Sequence, residues 1–172
     1  LSRKLLISLL FSLFLKKNKV ADYSSLLTHC ISLLDQPTRD KFARLTEICV
    51  YLQKEVEVYD WVGFYMANHA EKTLHLKAFA GIPTDHEVIP FGKGICGQVA
   101  VSNDNFLVDD VSAQDNYIAC DIHVKSEIVI PLFSKGVNIG QIDIDSNKIK
   151  AFTEKDAKFL EQLNTAIAEK LF

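Results

Sequence analysis

The sequence predicts an α+β fold: one antiparallel sheet of about six strands, with helices from both ends of the chain packed on one of its faces. Three observations predict it. Apolar residues recur at helical spacing between positions 22 and 55, the period switches to alternation at Tyr59, and helical spacing returns after Thr153 behind a capping signal.

Asp22 is a plausible N-cap for a helix over residues 23–34, with Leu26, Leu27, Cys30, Leu33 and Leu34 at helical spacing. The stretch Asp35-Gln-Pro-Thr38 breaks it, and Thr38 is placed to cap a second helix running to about Glu55, with Phe42, Leu45, Ile48, Cys49 and Leu52 on its apolar face. These two stripes read as core or dimer surface. Residues 61–66 and 73–79 then read as strands joined by a hairpin turn at 68–71, and Gly81-Ile-Pro83 ends the second. A short helix is expected over 94–102, entered through a glycine-rich turn, followed by a strand at 105–108. Residues 108–121 form the longest loop and are a natural place for function. A second hairpin is expected from 127–133 and 137–144 across Ser134-Lys-Gly136. Thr153, with Asp156 three positions on, opens the final helix through Phe159, Leu160, Leu163 and Ile167.

The chain has 172 residues, enough for one domain with a proper core and too short for two comfortable ones. Its hydrophobic fraction of 48% with 24% charged residues is that of a soluble globular protein. A net charge of −3 gives no electrostatic footing for nucleic acid or an anionic membrane. Four cysteines, at 30, 49, 96 and 120, match neither a zinc-ligand spacing nor a secreted disulfide scaffold, so no metal is expected and a reducing cytoplasm is the natural setting. Cys30 and Cys49 read as buried apolar thiols. Residues 1–21 are an apolar and basic segment set apart from a single domain over 22–172. Its apolar core, Leu5 to Leu15, falls short of the roughly 20 residues that span a bilayer. No small-residue cleavage site follows it. An amphipathic helix, a peripheral membrane anchor and a signal-peptide core all remain open for it.

The chemistry-bearing residues gather in loops and strand ends. Cys96 lies in Ile89-Pro-Phe-Gly-Lys-Gly-Ile-Cys-Gly97, Cys120 in Tyr117-Ile-Ala-Cys-Asp121, Glu127 follows, and Asp143-Ile-Asp145 lies inside a strand. Carboxylates suppress a thiolate, so a thiol among them makes most sense where they hold a cationic substrate or donate a proton while the thiol attacks. The plainer readings are a packed Cys96, solvated Glu127, a polar outer strand face for Asp143 and Asp145, and surface positions for His86 and His123. Phe91-Gly-Lys-Gly94 lacks the spacing of a phosphate-binding loop, which argues against nucleotide hydrolysis.

Four blocks together resemble a GAF domain, and within that superfamily the free methionine-(R)-sulfoxide reductases. They are Trp61-Val-Gly-Phe-Tyr65, the Ile89–Gly97 block, Ile118-Ala-Cys-Asp121 with Ser126-Glu-Ile-Val-Ile-Pro-Leu-Phe133, and Gly140-Gln-Ile-Asp-Ile-Asp-Ser146. The resemblance implies a buried small-molecule pocket, often a homodimer, no bound cofactor, and thioredoxin or another external thiol as reductant. It implies Cys120 as the attacking thiol, with Glu127, Asp143 and Asp145 as substrate carboxylates and Trp61 and Tyr65 as an apolar wall beside the methyl-sulfoxide group. Free methionine sulfoxide carries an ammonium that the peptide-bound form lacks, which buried carboxylates would select. One departure is plain. Those reductases carry a resolving cysteine three positions ahead of the Ile89 block, where this chain has His86. Cys96 or an outside thiol would then resolve the sulfenate. The alternative is a non-catalytic module that binds an amino-acid-like ligand or senses redox state.

Overall fold

The computed structural model describes residues 22–37, 39–113 and 123–172. In chain order the elements are α1 (Tyr23–Leu34), α2 (Lys41–Glu55), β1 (Trp61–Asn68), β2 (Thr73–Ala80), β3 (Val88–Pro90), α3 (Gly94–Ser102), β4 (Phe106–Val108), a 3-10 turn (Val111–Ala113), β5 (Ser126–Ser134), β6 (Val137–Ser146) and α4 (Glu154–Leu171). The strands form one sheet in the order β3-β2-β1-β6-β5-β4, every neighbouring pair antiparallel. The apolar and basic segment 1–21 lies outside the described residues. No described helix is long and apolar enough to cross a membrane.

The expected helices form where local chemistry specifies them. Asp22 caps α1, its carboxylate accepting from Ser25 N at 3.4 Å and Ser25 Oγ at 2.7 Å. Thr153 and Asp156 make a reciprocal capping box at α4, with Thr153 N donating to Asp156 Oδ2 at 2.8 Å. The second helix differs from expectation. It begins at Lys41, where Asp40 accepts from Phe42 N and Ala43 N at 2.9 and 3.2 Å. A carboxylate two residues nearer the apolar stripe takes the capping role assigned to Thr38, which lies outside the described residues. Strand β3 was not expected at all. Its three residues are too few to show a period, and it exists by pairing with β2, Leu74 opposite Ile89.

Alternation along the strands divides the side chains between two faces. Val62, Phe64, Ile128, Ile130, Leu132, Ile142 and Ile144 face α1, α2 and α4, and with Leu26, Leu45, Ile48, Leu52, Leu160 and Leu163 they make the main core. Cys30 and Cys49 sit wholly buried in it, and burial pushes both thiols up so that they stay protonated. The terminal helices thus cover one face, as the sequence predicts. The other face is closed by α3, which is buried on nearly every side through Ile95, Cys96, Val99 and Ala100 against Trp61, Tyr65, Leu74, Ile89 and Val129. Gly92 and Gly94, at φ 81° and 62°, turn the chain into α3 through the left-handed region. Gly97 lets the helix lie close, since a Cβ there would stand 2.6 Å from the Pro90 carbonyl oxygen.

Candidate active site

The second face carries the polar residues. Residue period two puts Asp143 and Asp145 on the side opposite Ile142 and Ile144, and the antiparallel register sets Glu127 directly across from Asp145 and Val129 across from Asp143. Because α3 and the connection from β2 to β3 cover this face, the three carboxylates are buried, at 5%, 1% and 3% exposure for Glu127, Asp143 and Asp145. The readings that left Glu127 solvated and the aspartates on an outer polar face are thereby corrected. A pattern of acids alternating with isoleucines looks the same whether its polar face meets water or a second layer.

Helix α3 brings Cys96 down onto this cluster. Its Sγ donates to Asp143 Oδ2 at 3.1 Å, and single ligand atoms of Cys96, Glu127 and Asp143 lie within 4.8 Å of one another. The other oxygen, Asp143 Oδ1, is buried with no hydrogen-bond partner among the described residues. Burial raises the Asp143 carboxyl to about 7, against the pull of its hydrogen bonds to Cys96 and Glu127. Glu127 is pushed well above the usual carboxylate range by burial and then by the charges of Asp143 and Asp145. In this pair Glu127 therefore holds the proton and Asp143 is the first to ionise. A buried protonated carboxyl beside a thiol is the arrangement a general acid requires.

Two cavities reach the cluster, one through Cys96, Glu127 and Asp143 and the other through Asp145. The inner one, about 20 Å³, is lined by His86, Ile89, Lys93, Gly94, Ile95, Cys96, Glu127 and Asp143. The outer one, about 170 Å³, is walled by Trp61, Asp145, Asp60, Ile82–Thr84, His123, Val124 and Asn147. Trp61 is held there by its Nε1 donating to the Ile82 carbonyl at 3.1 Å and by stacking on Phe79 at 6.0 Å. Gly63 makes room for the ring, since a Cβ there would meet Trp61 Cη2 at 2.1 Å. Tyr65 stands behind Trp61 with ring centroids 6.3 Å apart, is fully buried, and donates its hydroxyl to the His86 carbonyl at 2.9 Å. It is on the wall of neither cavity.

Six of the seven predicted site residues, Cys96, Trp61, Tyr65, Glu127, Asp143 and Asp145, thus meet on one sheet face. Cys120 and the loop around it lie outside the described residues. Sequence reasoning missed Asp60, whose Oδ2 accepts from Asn147 N at 2.7 Å and fixes the outer rim. It also placed His86 on the surface, whereas His86 is half-buried on the inner cavity wall. His123 is exposed at the outer rim, as expected.

Residues 43–171 match the family model described as GAF domain. Protein YtsP of Bacillus subtilis is 33% identical over 90% of this chain and 93% of its own. The free methionine-R-sulfoxide reductase of Escherichia coli is 37% identical over 70% of this chain and 72% of its own. Among solved structures, free methionine-R-sulfoxide reductase from Neisseria meningitidis in complex with its substrate superposes with a TM-score of 0.81, at 35% identity over 87% of each chain.

Proposed function

This chain belongs to the GAF domain family, with relatives that are free methionine-R-sulfoxide reductases, and we propose that it reduces free methionine-(R)-sulfoxide to methionine at the buried acidic face. The observation that carries the reading is the meeting of Cys96 with Glu127, Asp143 and Asp145 beneath α3, beside an outer cavity whose wall includes an aromatic ring. The carboxylates bind the substrate ammonium, and Trp61 packs on its methyl-sulfoxide end. Charge-assisted contacts of this kind contribute roughly 1.5–3 kcal/mol each. The Glu127 proton is available to the sulfoxide oxygen, which must be protonated before sulfur is attacked.

The step then balances simply. Cys120 thiol attacks the protonated sulfoxide sulfur, and a sulfur–sulfur bond forms as the S–O bond breaks and the oxygen leaves as water. Water then attacks the Cys120 sulfur, so that the sulfur–sulfur bond breaks, methionine leaves and Cys120 is a sulfenic acid. A second thiol condenses with the sulfenic acid and releases water, and the resulting disulfide is reduced by thioredoxin or another dithiol. His86 occupies the place of the resolving cysteine, so the second thiol is Cys96 or the external reductant.

Turnover of the R epimer with thioredoxin as reductant tests this. Several methionines per chain are expected, with none from Cys120→Ser and methionine affinity reduced about 10- to 100-fold in Asp143→Asn and Asp145→Asn. Tight methionine binding without any methionine formed from the sulfoxide would instead establish the non-catalytic module.

A further inference from the structure

The inner cavity is the wrong size for the proposed substrate. At about 20 Å³ it holds one water or one ion, not an amino acid. Its walls nonetheless concentrate ligand chemistry: a thiol and two carboxyls, from Cys96, Glu127 and Asp143, whose ligand atoms lie within 4.8 Å of one another. Asp143 Oδ1, on a residue 1% exposed, has no hydrogen-bond donor on it among the described residues, and Lys93 lies on the same wall. A buried carboxylate with a bare oxygen facing an atom-sized space is costly unless something positive meets it.

We propose that this cavity is a zinc-class metal site, with Cys96 Sγ, Asp143 and Glu127 as ligands and a water in the fourth position. Zinc takes thiolate, imidazole and carboxylate together, with bonds of about 2.0–2.3 Å, so tetrahedral ligands stand about 3.5 Å apart. The Cys96 Sγ to Asp143 Oδ2 separation of 3.1 Å already lies close to that, and the 4.8 Å limit on the triad closes with small side-chain rotations. The mixture of soft thiolate and hard carboxylate disfavours copper(I) on one side and magnesium or calcium on the other. Binding releases the thiol proton and the proton held by Glu127 to solvent, which leaves the charges of the site nearly balanced. The donor set comes from residues that no short-range spacing in the sequence connects. One consequence rests on the proposed reductase activity: the metal takes the carboxylates meant for the substrate ammonium, so zinc holds the enzyme off until a thiol or chelator removes it.

The test uses the full chain, reduced and stripped with a chelator. Cobalt(II) should bind one ion per chain with a thiolate-to-cobalt charge-transfer band, and zinc should displace it. Cys96→Ser should abolish the band, and Asp143→Asn should weaken zinc about 100-fold. Should Cys96→Ser fail to fold, Asp143→Asn carries the test, since amide replaces carboxylate without change of shape. No charge-transfer band, or zinc affinity unchanged in Asp143→Asn, overturns the site. A calorimetric titration of methionine into zinc-loaded and stripped protein separates the two readings. Binding to the stripped form alone supports both, while a metal site on a protein that never binds methionine keeps the site and removes the reductase.

Discussion

Two buried aspartates, one on each side of the sheet, solve the same problem in opposite ways. Asp156, at the start of α4, is 3% exposed and accepts four hydrogen bonds, each at 2.8 Å, from Tyr23 Oη and Tyr59 Oη on one oxygen and from Thr153 N and Oγ1 on the other. Asp143, 1% exposed, meets only the Cys96 thiol and the Glu127 carboxyl among the described residues. Gln141, two residues before it on the same strand face, is fully buried with both amide atoms unpartnered. The first aspartate ties helices to the sheet. The second shares its neighbourhood with another buried carboxyl and a thiol, and burial raises it to about 7. The helix-covered face carries a fully satisfied carboxylate, and the α3-covered face keeps buried carboxyls raised above their usual range.

The comparison breaks most easily on the apolar face. Ile144 is fully buried between Val62 and Ile128 on the neighbouring strands. Ile144→Ala should cost about 3–4 kcal/mol, a loss of roughly 10 °C in melting temperature. A change below about 1 kcal/mol in urea unfolding would mean that this face is not the one that holds the fold.

Asp156→Ala comes next. It strands two tyrosine hydroxyls and the Thr153 amide, and removes half of the capping box. The expected loss is about 2–3 kcal/mol, with methionine affinity unchanged because the residue is on the far side of the sheet. A variant that folds as well as the parent but binds ligand worse would contradict the division between the faces.

How much of this division was legible depends on how local each device is. Caps at Asp22 and Thr153 need only neighbours within one turn, and both were readable. Asp40 displaced Thr38 because two capping residues stood two positions apart and only the packing of α2 chooses between them. The burial of Glu127, Asp143 and Asp145 was not readable from alternation, since it depends on α3 and the β2–β3 connection folding over from elsewhere. Asp60 looked like any acid before a strand, and its place on the rim follows from its contact with Asn147, far along the chain. The family motifs pointed to carboxylates that the fold gathers on one buried face, but which atoms of them meet belongs to the tertiary structure alone.

Gly63→Ala sharpens the comparison by a smaller effect. The new methyl would collide with the Trp61 ring, at 2.1 and 2.4 Å from Cη2 and Cζ3, so the indole must leave its place over the strand. Overpacking of this kind costs about 1–2 kcal/mol. The larger consequence falls on the outer cavity, which loses its aromatic wall. A crystal structure of the variant with Trp61 unmoved, or methionine affinity within a factor of about two of the parent, would show that the ring does not shape the site.

The smallest expected effect has the opposite sign. Asp143→Asn should stabilise the ligand-free protein at neutral pH by about 1 kcal/mol, or roughly 3 °C, because an amide needs no counter-charge. The sign with pH follows from the raised carboxyls. Asp143 is up at about 7 in the folded chain against 3.8 unfolded, and Glu127 is raised in the same direction, so the folded state holds protons that the unfolded state gives up. That stability is fully present below pH 3.8 and drains away as pH rises towards about 7. The parent should therefore lose stability across this window, while Asp143→Asn loses less, and the two should converge near pH 4 and separate by pH 8. On the proposed binding at this carboxylate, methionine or zinc should reverse the trend and shift melting more at pH 8 than at pH 5. Parallel melting curves for parent and variant from pH 4 to 8 would mean that the buried Asp143 titrates like a surface acid, and the contrast with Asp156 would then have no energetic content.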